Sequence, residues 1–324
     1  MPSKHPEIIK MVERVRTDVI GGAADTAKEI VIAIKALARD SQAANPDELV
    51  AEVEEAVVDV LKVMPTLAPP INALHRVMGC MEADVDAGAS ISEVKIGLMK
   101  AVDEFLDWAN RSLGKVAEYG AELIKDGDIV FTYSMSSTVW KIFRIAKSQG
   151  KSFEVIVTES RPANEGLWTV DEMLKLDIPI SVSVDACIGE LVPQSDIVFV
   201  GADAISSHGV SLCKVGSYPT ALVAKANGVP FFVAADTLKF DTTSLLGLSP
   251  RIDPIHRHEV IGDKYPQDVK VVGRIFDQTP AELVDAVITE IGLLHPTACV
   301  MVMWEMKLSE RLKALLPAWT KGTL

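Results

Sequence analysis

Positive charge is in short supply in this chain of 324 residues, which has 32 lysines and arginines against 45 aspartates and glutamates, a formal net charge of −13. A nucleic-acid surface needs clustered basic side chains, and so does docking on anionic lipid, so the net charge argues against both. The sequence also has no apolar run approaching about 18 residues and no signal-like apolar core near its start. We therefore expect a cytoplasmic protein without a membrane span.

Paired cysteines and nucleotide-binding glycine motifs are also absent. The four cysteines have no CxxC spacing, which argues against a disulfide framework or a zinc site. No GxGxxG follows a strand-like segment and no GxxxxGK[ST] occurs, so a dinucleotide or Walker-type site lacks its signature. His256 and His258 lie near acidic residues, but their spacing fits no standard metal motif and favours a surface loop. We predict no metal and no cofactor.

The first part of the chain, up to about residue 124, has apolar residues at helical spacing. In "NPDELVAEVEEAVVDVLKVM", Asn45 fits a helix N-cap and Pro46 the first helical position. The segment 91–124 is long enough for one extended helix, whereas the three prolines of "MPTLAPPINALHRVM" predict a loop. Residues 1–124 are thus predicted to form an all-α domain.

From residue 125 the pattern changes to short runs rich in Val, Ile and Phe, most of them followed by a helical stretch. These runs are "DIVFTYS", "FEVIVTES", "IPISVSVD", "DIVFVGAD" and "VPFFVAAD". Near-continuous apolar strands that alternate with helices are typical of a parallel sheet covered on both faces. The predicted fold class is therefore α/β, with a doubly wound, Rossmann-like domain over residues 125–324.

Polar residues follow each predicted strand, where open α/β sheets bind their ligands. The first such group is the hydroxyl cluster of "TYSMSST", which includes Ser134, Ser136 and Ser137. It is either an ordinary helix cap or an anion site, because a helix N-terminus attracts phosphate. A serine nucleophile ranks lowest, since no GxSxG surrounds Ser134 and no histidine follows a strand as its base.

The segment from 200 to 240 carries the other candidate groups. Asp203 ends an apolar strand, where a partly enclosed carboxylate suits acid–base chemistry, although it is also suited to capping loop amides. Lys214 precedes a predicted helix and Lys239 follows the next strand, and two lysines near strand ends suit an anionic ligand. A polar, anionic small molecule is therefore the predicted ligand.

Five motifs follow one another along nearly the whole chain: "TYSMSSTV", "VIVTESRPANEG", "VGADAI", "VPFFVAADTLKF" and "FDQTP". In sequence and in order they resemble the motifs of the translation initiation factor 2B α/β/δ family. Ribose-1,5-bisphosphate isomerase and methylthioribose-1-phosphate isomerase are enzymatic relatives. The resemblance implies a helical N-terminal domain, a Rossmann-like C-terminal domain and a homodimer or higher oligomer.

The resemblance also implies site residues. The isomerases use a cysteine after the first strand and the aspartate of the "GAD" turn, and these positions fall on Ser134 and Asp203. The implied ligand-binding positions are Gly21, Gly22, Ala23, Met135, Ser136, Ser137, Glu159, Arg161, Cys213, Lys214 and Lys239.

Three departures from the isomerase pattern concern proton transfer and phosphate binding. Ser134 replaces the cysteine, and a hydroxyl is far less acidic than a thiol. Gly21 stands at an arginine position, and Met64 falls at a second phosphate-binding arginine. The pattern resembles that of the archaeal initiation factor 2B group.

Two functions of different class remain open. The first is a non-catalytic, regulatory protein that binds a sugar phosphate or nucleotide, with initiation factor 2 as a possible partner and a role in guanine nucleotide exchange implied by the family alone. The second is an aldose–ketose isomerase on a phosphosugar, with Asp203 as its main acid–base. Tyr133, the hydroxyl cluster or Cys213 would then relay the proton that the missing cysteine cannot. Loss of the arginine and the cysteine together favours the first.

Overall fold

The computed structural model describes residues 3–17, 22–64, 68–247, 252–262 and 264–321, with side chains up to residue 315. The chain folds into two compact units. The first comprises Met1–Asn110, Asp241–Thr243 and Trp304–Leu324, and the second comprises Arg111–Phe240 and Ser244–Met303. The domain boundary between residues 124 and 125 stays a prediction.

The first unit is helical, as the apolar spacing of its sequence predicts. Its helices are α1 (Pro6–Arg16), α2 (Ala23–Asp40), α3 (Pro46–Val63), α4 (Ala68–Asp86), the first part of α5 (Ile91–Leu123), and a helix that closes the chain, α12 (Glu310–Lys321). The apolar faces of α2, α3 and α4 bury Ile30, Ile34, Leu49, Val53 and Leu74, none of which is exposed to solvent. Burial of these aliphatic side chains is the main term that stabilises the unit.

The predicted loop over "MPTLAPPINALHRVM" is wrong for most of its length. Residues 65–67 lie outside the described residues, but α4 already begins at Ala68 and contains Pro69 and Pro70 in its first turn. The first turn of a helix has no partners for its backbone N–H groups, so proline is tolerated there. The rest of the segment then buries Ile71 and Leu74.

Asn45 is the N-cap of α3, as predicted. Its side-chain oxygen accepts the Glu48 backbone N–H at 3.0 Å, and the Glu48 carboxylate accepts the Ala44 N–H at 2.8 Å. We expect Asn45→Ala to lower the free energy of unfolding by about 1 kcal/mol, because the Glu48 backbone N–H loses its side-chain acceptor. Urea denaturation would measure it, with Asn45→Ser as the control that keeps the cap. Equal losses in both variants would contradict the capping account.

The second unit contains a seven-stranded sheet in the order β10-β9-β7-β4-β1-β2-β3. The five predicted strands are all present and mutually parallel: β1 (Ile129–Thr132), β2 (Glu154–Thr158), β3 (Ile180–Ser183), β4 (Ile197–Gly201) and β7 (Phe231–Ala234). Beyond β7 the sheet continues with parallel β9 (Ala286–Thr289) and antiparallel β10 (Gly292–Leu294). The predicted α/β fold class is confirmed.

Helices and a second, small sheet complete this unit. The helices are α6 (Ser137–Ser148), α7 (Gly166–Lys175), α8 (Ile188–Leu191), α9 (Ser217–Asn227), α10 (Arg257–Val260) and α11 (Cys299–Glu305). The small antiparallel sheet has the order β5 (Ala204–Ile205), β6 (Ser211–Lys214), β8 (Phe276–Thr279). No helix in the described parts of either unit has the length and apolarity that a membrane crossing requires.

Large aromatic side chains form the core between α6 and the sheet. Phe143 of α6 is fully buried, with its ring 5.9 Å from Phe153 and 6.3 Å, edge-on, from Phe199 of β4. On the end of α5, Gly120 lies against Ile142, where an added Cβ would come within 2.4 Å of that side chain. The glycine thus permits α5 to pack closely on α6, and this packing fixes where α6 begins relative to the sheet.

Candidate functional site

The strand order defines where a ligand site is expected. The chain leaves β1 towards β2 on one side, whereas β4 and β7 lie on the other side of β1. The direction of winding therefore reverses between β1 and β4, and ligands of open α/β sheets bind beyond the carboxyl ends of the strands at such a reversal. Ser134 follows β1 and Asp203 follows β4, so the two predicted catalytic positions lie after the two strands that flank the reversal.

Ser134 has an unusual backbone and is held at all three of its polar groups. Its φ is 63°, a left-handed conformation that is uncommon for residues other than glycine. Its backbone N–H donates to Ser160 Oγ at 2.8 Å, and its carbonyl oxygen accepts from Thr169 Oγ1 at 2.8 Å. Its own hydroxyl donates to Glu165 Oε2 at 2.6 Å. The residue is only 4% exposed, so its orientation is fixed by protein contacts.

Glu165 links Ser134 to Lys214. Its second carboxylate oxygen, Oε1, lies 2.8 Å from Lys214 Nζ, and the side chains are 16% and 15% exposed. The ammonium group also lies 5.0 Å from the centre of the Phe276 ring, a cation–π contact. Ser134, Glu165 and Lys214 therefore form one hydrogen-bonded chain, which we call the Ser134–Glu165–Lys214 chain.

Sequence reasoning did not single out Glu165. The residue directly precedes α7, and the next residue, Gly166, lies so close to the end of β2 that an added Cβ would come within 1.8 Å of the Thr158 carbonyl oxygen. Only a glycine lets the turn approach the strand in this way. The Glu–Gly pair inside "SRPANEG" was the available signal.

Asp203 and Lys239 form a second charged pair. Their side chains are 27% and 13% exposed, with Asp203 Oδ1 3.9 Å from Lys239 Nζ. Lys239 ends a 3-10 turn (Thr237–Lys239) that Glu290 holds by accepting from both the Thr237 backbone N–H and its hydroxyl. The predicted acid–base residue and a predicted ligand-binding lysine are thus brought together.

The hydroxyl cluster caps α6, as one of the two predictions proposed. Ser136 is the N-cap and accepts the Val139 N–H at 3.4 Å. It packs against Gly201 at the end of β4, where an added Cβ would lie 2.4 Å from Ser136 Oγ. Met135 is half-buried and Ser137 is exposed. The anion-binding role of this helix start stays a prediction.

Tyr133 and Cys213, two of the predicted proton relays, are poorly suited to proton exchange. Burial, reinforced by the charge of Asp185, raises the pKa of the Tyr133 hydroxyl well above its usual value. Burial also raises the pKa of Cys213, and the carboxylates of Asp277 and Asp203 act in the same direction. Both groups therefore keep their protons near neutral pH.

The carboxylate of Asp277, a residue of β8, lies at the start of α9. It accepts the backbone N–H groups of Gly216 at 2.8 Å and Tyr218 at 2.9 Å, while its other oxygen, Oδ1, is buried without a hydrogen-bond partner among the described residues. Burial raises its pKa from 3.8 to about 6, although the N–H groups oppose the shift. The N-terminus of α9 is therefore occupied by the protein's own carboxylate, a feature that the sequence pattern did not predict.

This shift predicts a pH dependence of stability. Because the folded-state pKa is raised, the folded state binds more protons than the unfolded state between about pH 4 and 6, so the contribution of Asp277 is complete below that range and is lost as the pH rises through 6. The loss is about 2–3 kcal/mol. We expect the stability of the native protein to fall by this amount relative to Asp277→Asn between about pH 4 and pH 7 in urea titrations. Parallel curves for the two proteins would contradict the shift.

The remaining predicted ligand-binding residues are Arg161, Glu159, Gly22, Ala23 and Gly21. The Arg161 guanidinium donates to the Glu259 carbonyl oxygen at 2.6 Å, and Glu159 is half-buried. Gly22 and Ala23 begin α2 in the helical unit, and Gly21 lies outside the described residues. Their roles in ligand binding stay predictions.

The histidine pair lies at the start of a short helix. His258 is in α10, His256 directly precedes it, and the two rings stack with 5.6 Å between their centres. Within the described ranges, no group of three or more His, Cys, Asp or Glu side chains is arranged to hold a metal ion. The four cysteines are free thiols.

The fold and the residues that follow its strands define the class of protein. It is an α/β protein of Rossmann-like topology, with charged pairs near the point where the direction of winding reverses. The chain matches the initiation factor 2 subunit family over residues 19–296. Ribose 1,5-bisphosphate isomerase of Thermococcus kodakarensis is 31% identical, covering 94% of this chain and 97% of the relative. The enzyme of the same name from Archaeoglobus fulgidus is 32% identical, over 92% of this chain and 93% of the relative.

A solved structure gives the same assignment. The Pyrococcus horikoshii translation initiation factor eIF-2B superposes with a TM-score of 0.75 at 30% identity, covering 91% of this chain and 99% of that one. The protein described here belongs to the initiation factor 2 subunit family, as its motifs predicted.

Proposed function

We propose that this protein is an aldose–ketose isomerase that acts on a sugar phosphate of the ribose 1,5-bisphosphate type. The observation that carries the proposal is the Asp203–Lys239 pair. Asp203 follows β4 and Lys239 follows β7, beyond the carboxyl ends of the strands, where a ligand is expected. Two relatives that are 31% and 32% identical to this protein over nearly the whole chain are named ribose 1,5-bisphosphate isomerase. This support favours the second of the two functions predicted from sequence.

The proposed reaction needs two kinds of group. One must give a proton to the ring oxygen as the ring opens and later take the proton from the C2 hydroxyl. The other must remove the proton from C2 and return it to C1. General acid–base catalysis of this type contributes roughly 10²–10⁴-fold to a rate. Asp203, paired with Lys239, fits the first role, because a carboxylate beside a lysine can exchange a proton with a bound oxygen.

Charge on the ligand is the reason for proposing a phosphorylated substrate. Lys214 and Lys239 are both mostly buried near the strand ends, where an ammonium group is stabilised by an anionic partner. We propose that the ligand's phosphate binds these lysines as a further anionic partner, beside the carboxylates that they already contact.

A homodimer or higher oligomer is part of the same proposal.

A second candidate is a regulatory protein that binds the sugar phosphate without converting it and acts through a protein such as initiation factor 2. Ser134 favours this candidate, because the position implied for a catalytic cysteine carries a hydroxyl. The similarity to a protein titled translation initiation factor eIF-2B also favours it. The two candidates differ in a single measurable property, which is turnover.

The test is a turnover assay on pure protein. Ribose 1,5-bisphosphate, ribose 1-phosphate and methylthioribose 1-phosphate are each incubated with the protein, and phosphorus NMR follows the appearance of a ketose phosphate. We expect conversion of at least the bisphosphate. Ligand-induced line broadening without any ketose would reject the isomerase and leave the binding protein.

A further inference from the structure

The Ser134–Glu165–Lys214 chain raises the question of what accepts the proton from C2 in a protein whose implied cysteine position carries serine. We infer that Ser134 and Glu165 act together as the base of the proposed isomerase. In this pair Ser134 passes the proton on and Glu165 holds it. The inference rests on the proposed function and adds to it a catalytic carboxylate that replaces the thiol.

The direction of the hydrogen bond is the first argument. A carboxylate can only accept, so the 2.6 Å contact between Ser134 Oγ and Glu165 Oε2 commits the hydroxyl proton to Glu165. Among the described residues no group donates a hydrogen bond to Ser134 Oγ, so its lone pairs can accept a proton from a ligand. A serine that receives one proton while it gives up another never becomes an alkoxide, so its low acidity is no obstacle.

The rigidity of Ser134 is the second argument. A buried serine in a left-handed conformation is a strained arrangement, and such strain is maintained where the surroundings impose it, often at functional sites. Here Ser160 and Thr169 fix the backbone, and Trp140 donates to Thr169 Oγ1 at 2.9 Å, which fixes that hydroxyl in turn. The serine oxygen is thereby held in one position relative to Glu165.

Lys214 is the positioning residue of this chain. It binds the carboxylate oxygen that Ser134 does not use, so Glu165 is held at both of its oxygens. Since Glu165 and Lys214 are mostly buried, water does not readily replace either partner. This arrangement differs from a surface ion pair, which orders little.

The proton transfers balance without any further reactant. As the C2–H bond breaks, its proton moves to Ser134 Oγ and the serine proton moves to Glu165 Oε2. The electron pair forms the C1=C2 bond, the C1–O4 bond breaks, and the Asp203–Lys239 pair gives a proton to O4. In the second half of the reaction, the Asp203–Lys239 pair takes a proton from the C2 hydroxyl. C1 receives the proton of Ser134, and Glu165 returns its proton to the serine.

The test compares native protein with Glu165→Gln, Glu165→Ala and Ser134→Ala, using ribose 1,5-bisphosphate as substrate. The matched control is Glu190→Gln, an exposed residue of α8. We expect Glu165→Gln and Ser134→Ala each to lower kcat by roughly 10²–10⁴-fold, with KM changed only a few-fold. Formate should restore part of the kcat of Glu165→Ala, whereas chloride at equal ionic strength should not.

The outcomes separate the inference from the proposed function. No turnover by the native protein would reject both. Native turnover with unchanged kcat in Glu165→Gln, or with an effect confined to KM, would reject the base and leave Glu165 as a residue that only positions Lys214. Full kcat in Ser134→Ala would reject the serine relay. Circular dichroism of each variant checks that the fold is retained.

Discussion

Replacing Asp203 with asparagine is expected to lower kcat for sugar-phosphate isomerisation by roughly 10²–10⁴-fold. Asparagine has nearly the same size and keeps an oxygen near Lys239, but its amide neither gives nor takes a proton at neutral pH. Substrate affinity should change much less, because Lys239 remains in place. A steady-state assay that follows the ketose phosphate by phosphorus NMR measures kcat and KM.

The matched control for this prediction is Asp171→Asn, on the exposed face of α7. It removes the same charge from the same unit without touching the strand ends, so it should leave kcat and KM within about twofold of native. Equal kcat values for Asp203→Asn and the native protein would show that the pair after β4 takes no part in the chemistry.

Replacing Phe143 with alanine should cost about 3–5 kcal/mol of unfolding free energy, the largest effect on stability that we expect. The side chain is fully buried, and its ring contacts those of Phe153 and Phe199. The truncation removes these contacts and leaves a cavity between α6 and the sheet. Guanidinium denaturation followed by circular dichroism would measure the loss.

Trp168→Ala is the control, because the Trp168 side chain is 52% exposed and an even larger truncation leaves no cavity there. It should change stability by less than about 1 kcal/mol. A loss for Phe143→Ala as small as that of Trp168→Ala would contradict the packing account of this core.

The strands of the sheet could be predicted from sequence because each depends on the types of residue that are adjacent in the chain. Each of the five strands is rich in β-branched or aromatic residues, and this enrichment can be recognised without knowledge of the neighbouring strands. The cap at Ser136 could be predicted for the same reason, since a hydroxyl before a helical pattern is a local signal. The error at Pro69 and Pro70 was also local, because proline marks a loop or a helix start equally well.

The chemistry of the candidate site depends on contacts between distant parts of the chain. Glu165 meets Ser134 across 31 positions and Lys214 across 49, and neither contact has a signature in a linear pattern. Asp277 reaches the start of α9 from β8, 61 positions further along than Gly216. Composition and motifs therefore located the strand ends, while the partners of the charged groups required the three-dimensional structure.

The most direct test of the central claim follows the hydrogen at C2. Ribose 1,5-bisphosphate labelled with deuterium at C2 is incubated with the native protein in ordinary water, and deuterium NMR records where the label goes. Isomerisation must break the C2–D bond, so we predict that the label appears at C1 of a ketose phosphate or in the water. Label that remains entirely at C2 of the aldose would contradict the isomerase account.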